Sequence, residues 1–200
     1  MAKTKITINV PTNWNDITIK KYQKFLQVSK NGDEIEMLSV LCDVPIKLIK
    51  KIKVKDRTMI VAKMNNFINK KPKQELQNII NFKGIEYGFI PNFSKLTTGE
   101  FVDLESYMKD SNESLNYIMS ILYRPIVKRQ GKFYNIESYN PNLETSEKFL
   151  DLPMTYVLSA FNFFFYLGEN LLGVMNNYSR KEMKKAINKE HYKVSGVGIT

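Results

Sequence analysis

Few side chains in this sequence are of types that do chemistry. His191 is the single histidine, with only Glu190 beside it as a carboxylate, and Cys42 is the single cysteine. A metal site draws on a cluster of His, Cys and carboxylate ligands, and no such cluster is written here. Cys42 falls on the apolar side of a short helical pattern, the usual setting of a buried structural thiol. Glu100, Asp103 and Glu105 crowd the first turns of another helix, where carboxylates complement the helix dipole. A two-carboxylate hydrolytic site would need a second, distant acid and a cleft. No GxGxxG or GxxxxGK[ST] run offers a phosphate cradle. We therefore assign no catalytic residue, no metal ligand and no cofactor, and expect a protein that is not an enzyme.

What remains is the chemistry of positive charge. The formal net charge is +10, and it is unevenly spread. Residues 1–75 carry 16 Lys and Arg against 7 Asp and Glu, whereas residues 76–155 carry 8 against 10. Two basic groups stand out as candidate partner contacts. Lys47, Lys50, Lys51, Lys53 and Lys55 line one helical face, and Arg124, Lys128, Arg129 and Lys132 belong to a short aromatic ribbon. Only four of the 30 basic residues are Arg, the residue that base readers and phosphate clamps favour for its planar fork. The lysine-rich N-terminal half could instead make sequence-independent, salt-sensitive contacts to nucleic acid. The plainest account of both groups is a solvated face and a sheet edge guarded by lysines.

The elements that would position these residues follow from periodicity. Lys5–Val10 alternates and stops at Pro11, which predicts a strand. Thr18 starts a helix with Ile19, Tyr22, Phe25 and Leu26 at helical spacing, and Asp33 with Glu36 reads as the next cap. Pro45 opens a short helix, and Asp56 one that runs to about Asn69. Lys83-Gly84 turns a hairpin within Gln77–Ile90. Thr97 and Glu100 form a capping box before Phe101, Leu104 and Met108. A helix over about 112–123 must end by Tyr123, because Pro125 biases Arg124 away from helical angles. A second hairpin then turns at Gln130-Gly131, and Asn140–Glu147 reads as polar loop. The most apolar run, 154–172, has only 15 residues without a charge, against the roughly 20 that a bilayer requires. It predicts a central buried helix, with Phe161, Phe164, Phe165, Leu171 and Leu172 as core or as an apolar patch. The expectation is a mainly helical α+β chain: a helical core, a short N-terminal strand and two β-hairpins. A single globular domain over 1–175 would precede a basic C-terminal arm over 176–200. The lone cysteine and the absence of an apolar leader suit synthesis in a reducing compartment.

Two stretches carry a family resemblance. ITINVPTNWNDITIKKYQKFLQV combines a strand, a Pro, a Trp-x-Asp-Ile-Thr turn and a Tyr-Gln helix. LTTGEFVDLESYM followed by ILYRPI sets a Thr-Gly-Glu-aromatic-x-Asp helix before a Leu-Tyr-Arg-Pro turn. Both resemble small proteins of the structural gene blocks of tailed bacteriophages, and the Phe-Phe-Phe-Tyr-Leu-Gly run agrees. The resemblance covers roughly residues 6–175. It implies a non-enzymatic morphogenesis protein that contacts other phage structural proteins. The role would be a minor virion component (connector, tail hub or internal cargo) or a tail-assembly chaperone. It would sit in the host cytoplasm during assembly or in the virion, with packaged DNA as a non-specific partner.

Overall fold

Side-chain caps set where three of the helices begin. The computed structural model describes residues 7–69, 75–141 and 143–163. Thr18 Oγ1 accepts from Lys21 N at the start of α1 (Ile19–Ser29), and Asp33 accepts from Ile35 N and Glu36 N at the start of α2 (Glu34–Cys42). Pro45 precedes the single turn α3 (Ile46–Ile49), and α4 spans Val54–Ile68. Thr97 and Glu100 close a full capping box on α5 (Thr98–Lys109), as expected. Helix α6 (Ser111–Leu122) passes directly into strand β3 (Tyr123–Gln130) with no loop between them. Pro125 thus lies inside a strand, where its carbonyl accepts from Glu137 N at 2.9 Å.

The two expected hairpins are present, β1 (Ile79–Phe82) with β2 (Ile85–Phe89), and β3 with β4 (Phe133–Ile136). They are not separate. Tyr87, Gly88 and Phe89 pair with Pro125, Arg124 and Tyr123, which joins both into one antiparallel sheet of order β1-β2-β3-β4. Together with the helices this makes the chain α+β and mainly helical. Two local expectations are corrected. Thr7–Val10 carries no strand, because no neighbouring edge pairs with its alternating pattern among the described residues. Within Asn140–Glu147, read as polar loop, the chain instead enters helix α7 (Leu143–Phe149), which packs on α6 and receives Asn116 Nδ2 on the Ser146 carbonyl at 3.3 Å.

Residues 1–160 make one compact unit; those from 161 onward belong to a second, of which 161–163 are described. The core of the first unit lies between one sheet face and the helices. Ile80, Phe82, Tyr87, Phe89 and Tyr123 share that face by register, and all are buried. Phe149 is fully buried against it, 5.2 Å from the Tyr87 ring and edge-on, and 6.0 Å from Phe82. From the helical side come Leu115, Ile118, Met119, Ile121 and Leu122 of α6. Met154, Val157 and Ala160 add the first part of α8 (154–163), so the expected apolar helix does begin in the core. The segment 150–154 also closes the start of α1. Leu152 O and Leu150 O accept from Ile19 N and Lys20 N at 3.0 and 2.8 Å, satisfying amides that a helix leaves free.

Gly88 shows why a glycine sits in the second strand. A Cβ there would stand 2.6 Å from Tyr134 Cδ2 and 2.8 Å from Ile136 Cγ2, and closer still to Tyr134 Cε2. The Tyr134 ring lies against bare backbone, held by its hydroxyl on Phe89 O (2.8 Å) and Asn78 O (3.0 Å). An irregularity between Ile126 and Lys128 bends β3 and lets β4 fold back over β2. Gly88→Ala is expected to cost about 1–3 kcal/mol, as overpacking does. A chemical-denaturation midpoint equal to the parent's would show that Tyr134 can swing away.

Two tyrosines make the fold sensitive to alkali. Burial pushes the Tyr123 phenol well above the usual tyrosine range, and its hydroxyl donates to Gln77 O at 2.7 Å. Tyr139 is raised as well, first by burial and then by its hydrogen bond to Asp103 Oδ2 at 2.6 Å. In the unfolded chain both phenols ionise near the ordinary value of 10.0. Above that pH the unfolded state binds fewer protons than the folded one, so stability falls as pH rises. The thermal midpoint should decline from about pH 10 upward, and Tyr123→Phe should flatten that decline. A slope unchanged by Tyr123→Phe would assign the effect elsewhere.

Candidate interaction surfaces

Cys42 is buried, and burial pushes its thiol up, away from the reactive thiolate. Among the described residues no group of three or more His, Cys, Asp or Glu is placed to hold a metal ion. His191, Phe164, Phe165, Leu171, Leu172 and the 176–200 arm lie outside the described residues, as does the boundary at 175. Phe161 is described and half-buried.

The five lysines expected to form one face lie on consecutive elements. Lys47 lies on α3, Lys50 and Lys51 on the turn that follows, and Lys53 and Lys55 at the start of α4. All five are exposed, and none makes an ion pair with another described residue. The apolar residues of the same run mostly turn inward: Ile49 is buried, and Leu48 and Ile52 are half-buried. Beside this lysine run lies an open cleft of about 570 Å³ between α1 and the end of α2. Lys20, Lys21 and Lys24 line it with Ser39, Asp43 and Pro45, and Lys21 is paired with Asp43. These three lysines were not singled out from the sequence. The available signal is the Lys20/Lys24 spacing of four, off the apolar stripe of α1.

The ribbon residues do not act together. Arg124 leaves the group: its guanidinium is 2.8 Å from Glu100 Oε1, and the two side chains are only 13% and 4% exposed. Arg129 reaches across to Glu86 at 2.6 Å and fastens the ribbon to β2. Lys128 and Lys132 are exposed and without an ion-pair partner among the described residues. Next to them in the chain stand Val127 and Phe133, 61% and 83% exposed. Strand pairing of β3 with β2 covers Tyr123–Pro125 only; beyond it the ribbon is tied to β2 by Arg129 on Glu86 and by the Tyr134 hydroxyl on Phe89 O. A groove of about 450 Å³ runs along it, lined by Pro91, Asn92, Lys95, Lys128, Lys132 and Phe133 among others. Alternation could not assign Phe133 to the outside, because Tyr134 on the opposite face is apolar as well.

Glu100, Asp103 and Glu105 separate too. Glu100 is buried between its capping partner Thr97 and Arg124, Asp103 receives Tyr139, and Glu105 is exposed. The same helix exposes Phe101, Val102 and Met108, two of which belong to its expected apolar stripe. No helix among the described residues is long and apolar enough to cross a membrane. No family model, curated protein or solved structure matches this chain.

Proposed function

We propose that this protein works without catalysis, through protein–protein contacts, in the morphogenesis of a tailed bacteriophage. The observation that carries the contact reading lies on the ribbon: Phe133 is 83% exposed, and Lys128 and Lys132 are exposed without an ion-pair partner among the described residues. Aromatic side chains such as Phe133 are enriched in interfaces, and the nearby lysines would steer an acidic partner toward it. The phage assignment rests on the residue resemblance of the Trp14–Thr18 turn and of the Thr97–Pro125 segment. The ribbon suits either a minor virion component or a tail-assembly chaperone, and its partner would be another phage structural protein carrying an acidic, apolar patch.

Quantitative mass spectrometry of particles and of infected-cell lysate tests the assignment. A fixed ratio to the portal makes the chain a virion component, and presence only in assembly intermediates makes it a chaperone. Absence from both would sink the reading. The ribbon is tested separately by Lys128→Ser, Lys132→Ser and Phe133→Ser combined. Exposed substitutions of this kind should shift stability by about 0.5 kcal/mol or less each. Co-purification of the partner should fall at least tenfold at an unchanged thermal midpoint. Full co-purification would remove the ribbon from the interface.

A further inference from the structure

We infer that the lysine ridge and the cleft beside it form a docking face for the phosphate backbone of duplex nucleic acid, independently of the ribbon and of the phage reading. The ridge places five ammonium groups within nine residues, with no acid from Val44 to Lys55. Lys20 and Lys24 extend the positive surface along α1, and the cleft that they line runs to Pro45, the residue before α3. The acids bordering this surface are accounted for. Asp43 is held by Lys21, Glu34 by Arg57, and Asp56 occupies the first turn of α4, where it complements the helix dipole.

The kinds of residue present select among polyanions. Reading base edges calls for Arg, Asn or Gln in a groove, and the one Arg here, Arg57, is engaged by Glu34. Binding single strands calls for aromatic platforms on which bases stack. The exposed phenylalanines of the described residues, Phe101 and Phe133, lie on α5 and β4 instead. Insertion into a lipid surface calls for a broad apolar face. Ile49 is buried and Leu48 and Ile52 are half-buried, leaving Ile46, Val54 and Met59 as separate exposed side chains. Exposed lysine point charges match the repeating phosphates of a duplex and carry no sequence preference.

The experiment is fluorescence anisotropy of the full chain with a mixed-sequence 24-base-pair duplex, titrated across salt. Five lysines neutralising one phosphate each give a slope of log Kobs against log salt of about −4.5, or roughly 500-fold weaker binding from 50 to 200 mM. Lys47→Ser, Lys50→Ser, Lys51→Ser, Lys53→Ser and Lys55→Ser combined should flatten the slope by about 4, while Lys128→Ser with Lys132→Ser leaves it unchanged. Circular dichroism of the fivefold variant checks that it folds. If it does not, Lys50→Ser with Lys53→Ser should still lower the slope by about 2. No binding at 50 mM salt overturns the inference, as does a slope that the ridge substitutions leave unaltered. Tighter binding to vesicles of anionic phospholipid than to the duplex overturns it in favour of a membrane surface.

Discussion

Arg124→Met is expected to lower the unfolding free energy by about 3–5 kcal/mol, the loss typical of a buried ion pair with one partner removed. The reason is what it leaves behind. Glu100 is 3% exposed, and its Oε2 is already committed to Thr97 N and Thr97 Oγ1 at 2.6 and 2.7 Å. Oε1 faces Arg124, so removing the guanidinium strands a carboxylate away from water. Glu100→Gln should cost nearly as much, because it strands the guanidinium instead. The double replacement should recover most of the loss, since two desolvated charges disappear together. Arg124 Nε is itself buried with no partner among the described residues, so the native pair is incompletely satisfied and the double variant has less to lose. Urea denaturation of the four proteins gives the coupling directly. A single-variant loss below about 1 kcal/mol would mean that water reaches the pair and that it behaves as a surface bridge. In either case Arg124 serves to hold the start of α5 against the sheet, and only Lys128 and Lys132 of the basic ribbon remain free to bind.

Phe149→Ala should cost about 3–5 kcal/mol, in the range for emptying a fully buried aromatic site. Phe149 ends α7 and fills the space between that helix and the sheet, in contact with Tyr87 and Phe82. The chain following it supplies Leu150 O and Leu152 O to the first amides of α1. Loss of the ring therefore weakens the sheet and the anchoring of α1 at once. Phe149→Leu keeps apolar volume and should cost clearly less. Equal losses for the two would show that the edge-on ring geometry, not the volume, matters. A loss under about 1 kcal/mol for the alanine variant would mean that α7 collapses into the space.

The ribbon and ridge substitutions differ from these two in kind. They remove exposed charge and should leave stability nearly unchanged, so their effects on binding can be read without a folding correction. The Arg124 and Phe149 variants would confuse the two.

Local chemistry determined much of this protein. Thr18, Asp33 and the Thr97–Glu100 box start helices because their side-chain oxygens satisfy amides within three residues, a relation that spacing alone reveals. Lys83-Gly84 and Gly131 make turns because left-handed backbone is needed there, with φ of 50°, 80° and 62°. The lysine ridge was legible for the same reason, since its residues are neighbours in the chain. Tertiary structure decided what depends on partners far away in sequence. The alternation of residues 5–10 predicts a strand, yet a strand exists only where another edge pairs with it, and Thr7–Val10 have none among the described residues. Residues 143–147 looked like a loop because one buried ring and a packing surface on α6, not a periodic stripe, make them helical. Read from sequence, Arg124 is a candidate partner contact and Glu100 a capping residue, with nothing to join them. They are buried because β2 pairs with β3 across the whole span of α5 and α6, a contact that no short-range pattern encodes. Phe133 is exposed for a related reason: its neighbour Tyr134 turns in onto Gly88 and the Phe89 carbonyl, so Phe133 faces the other way.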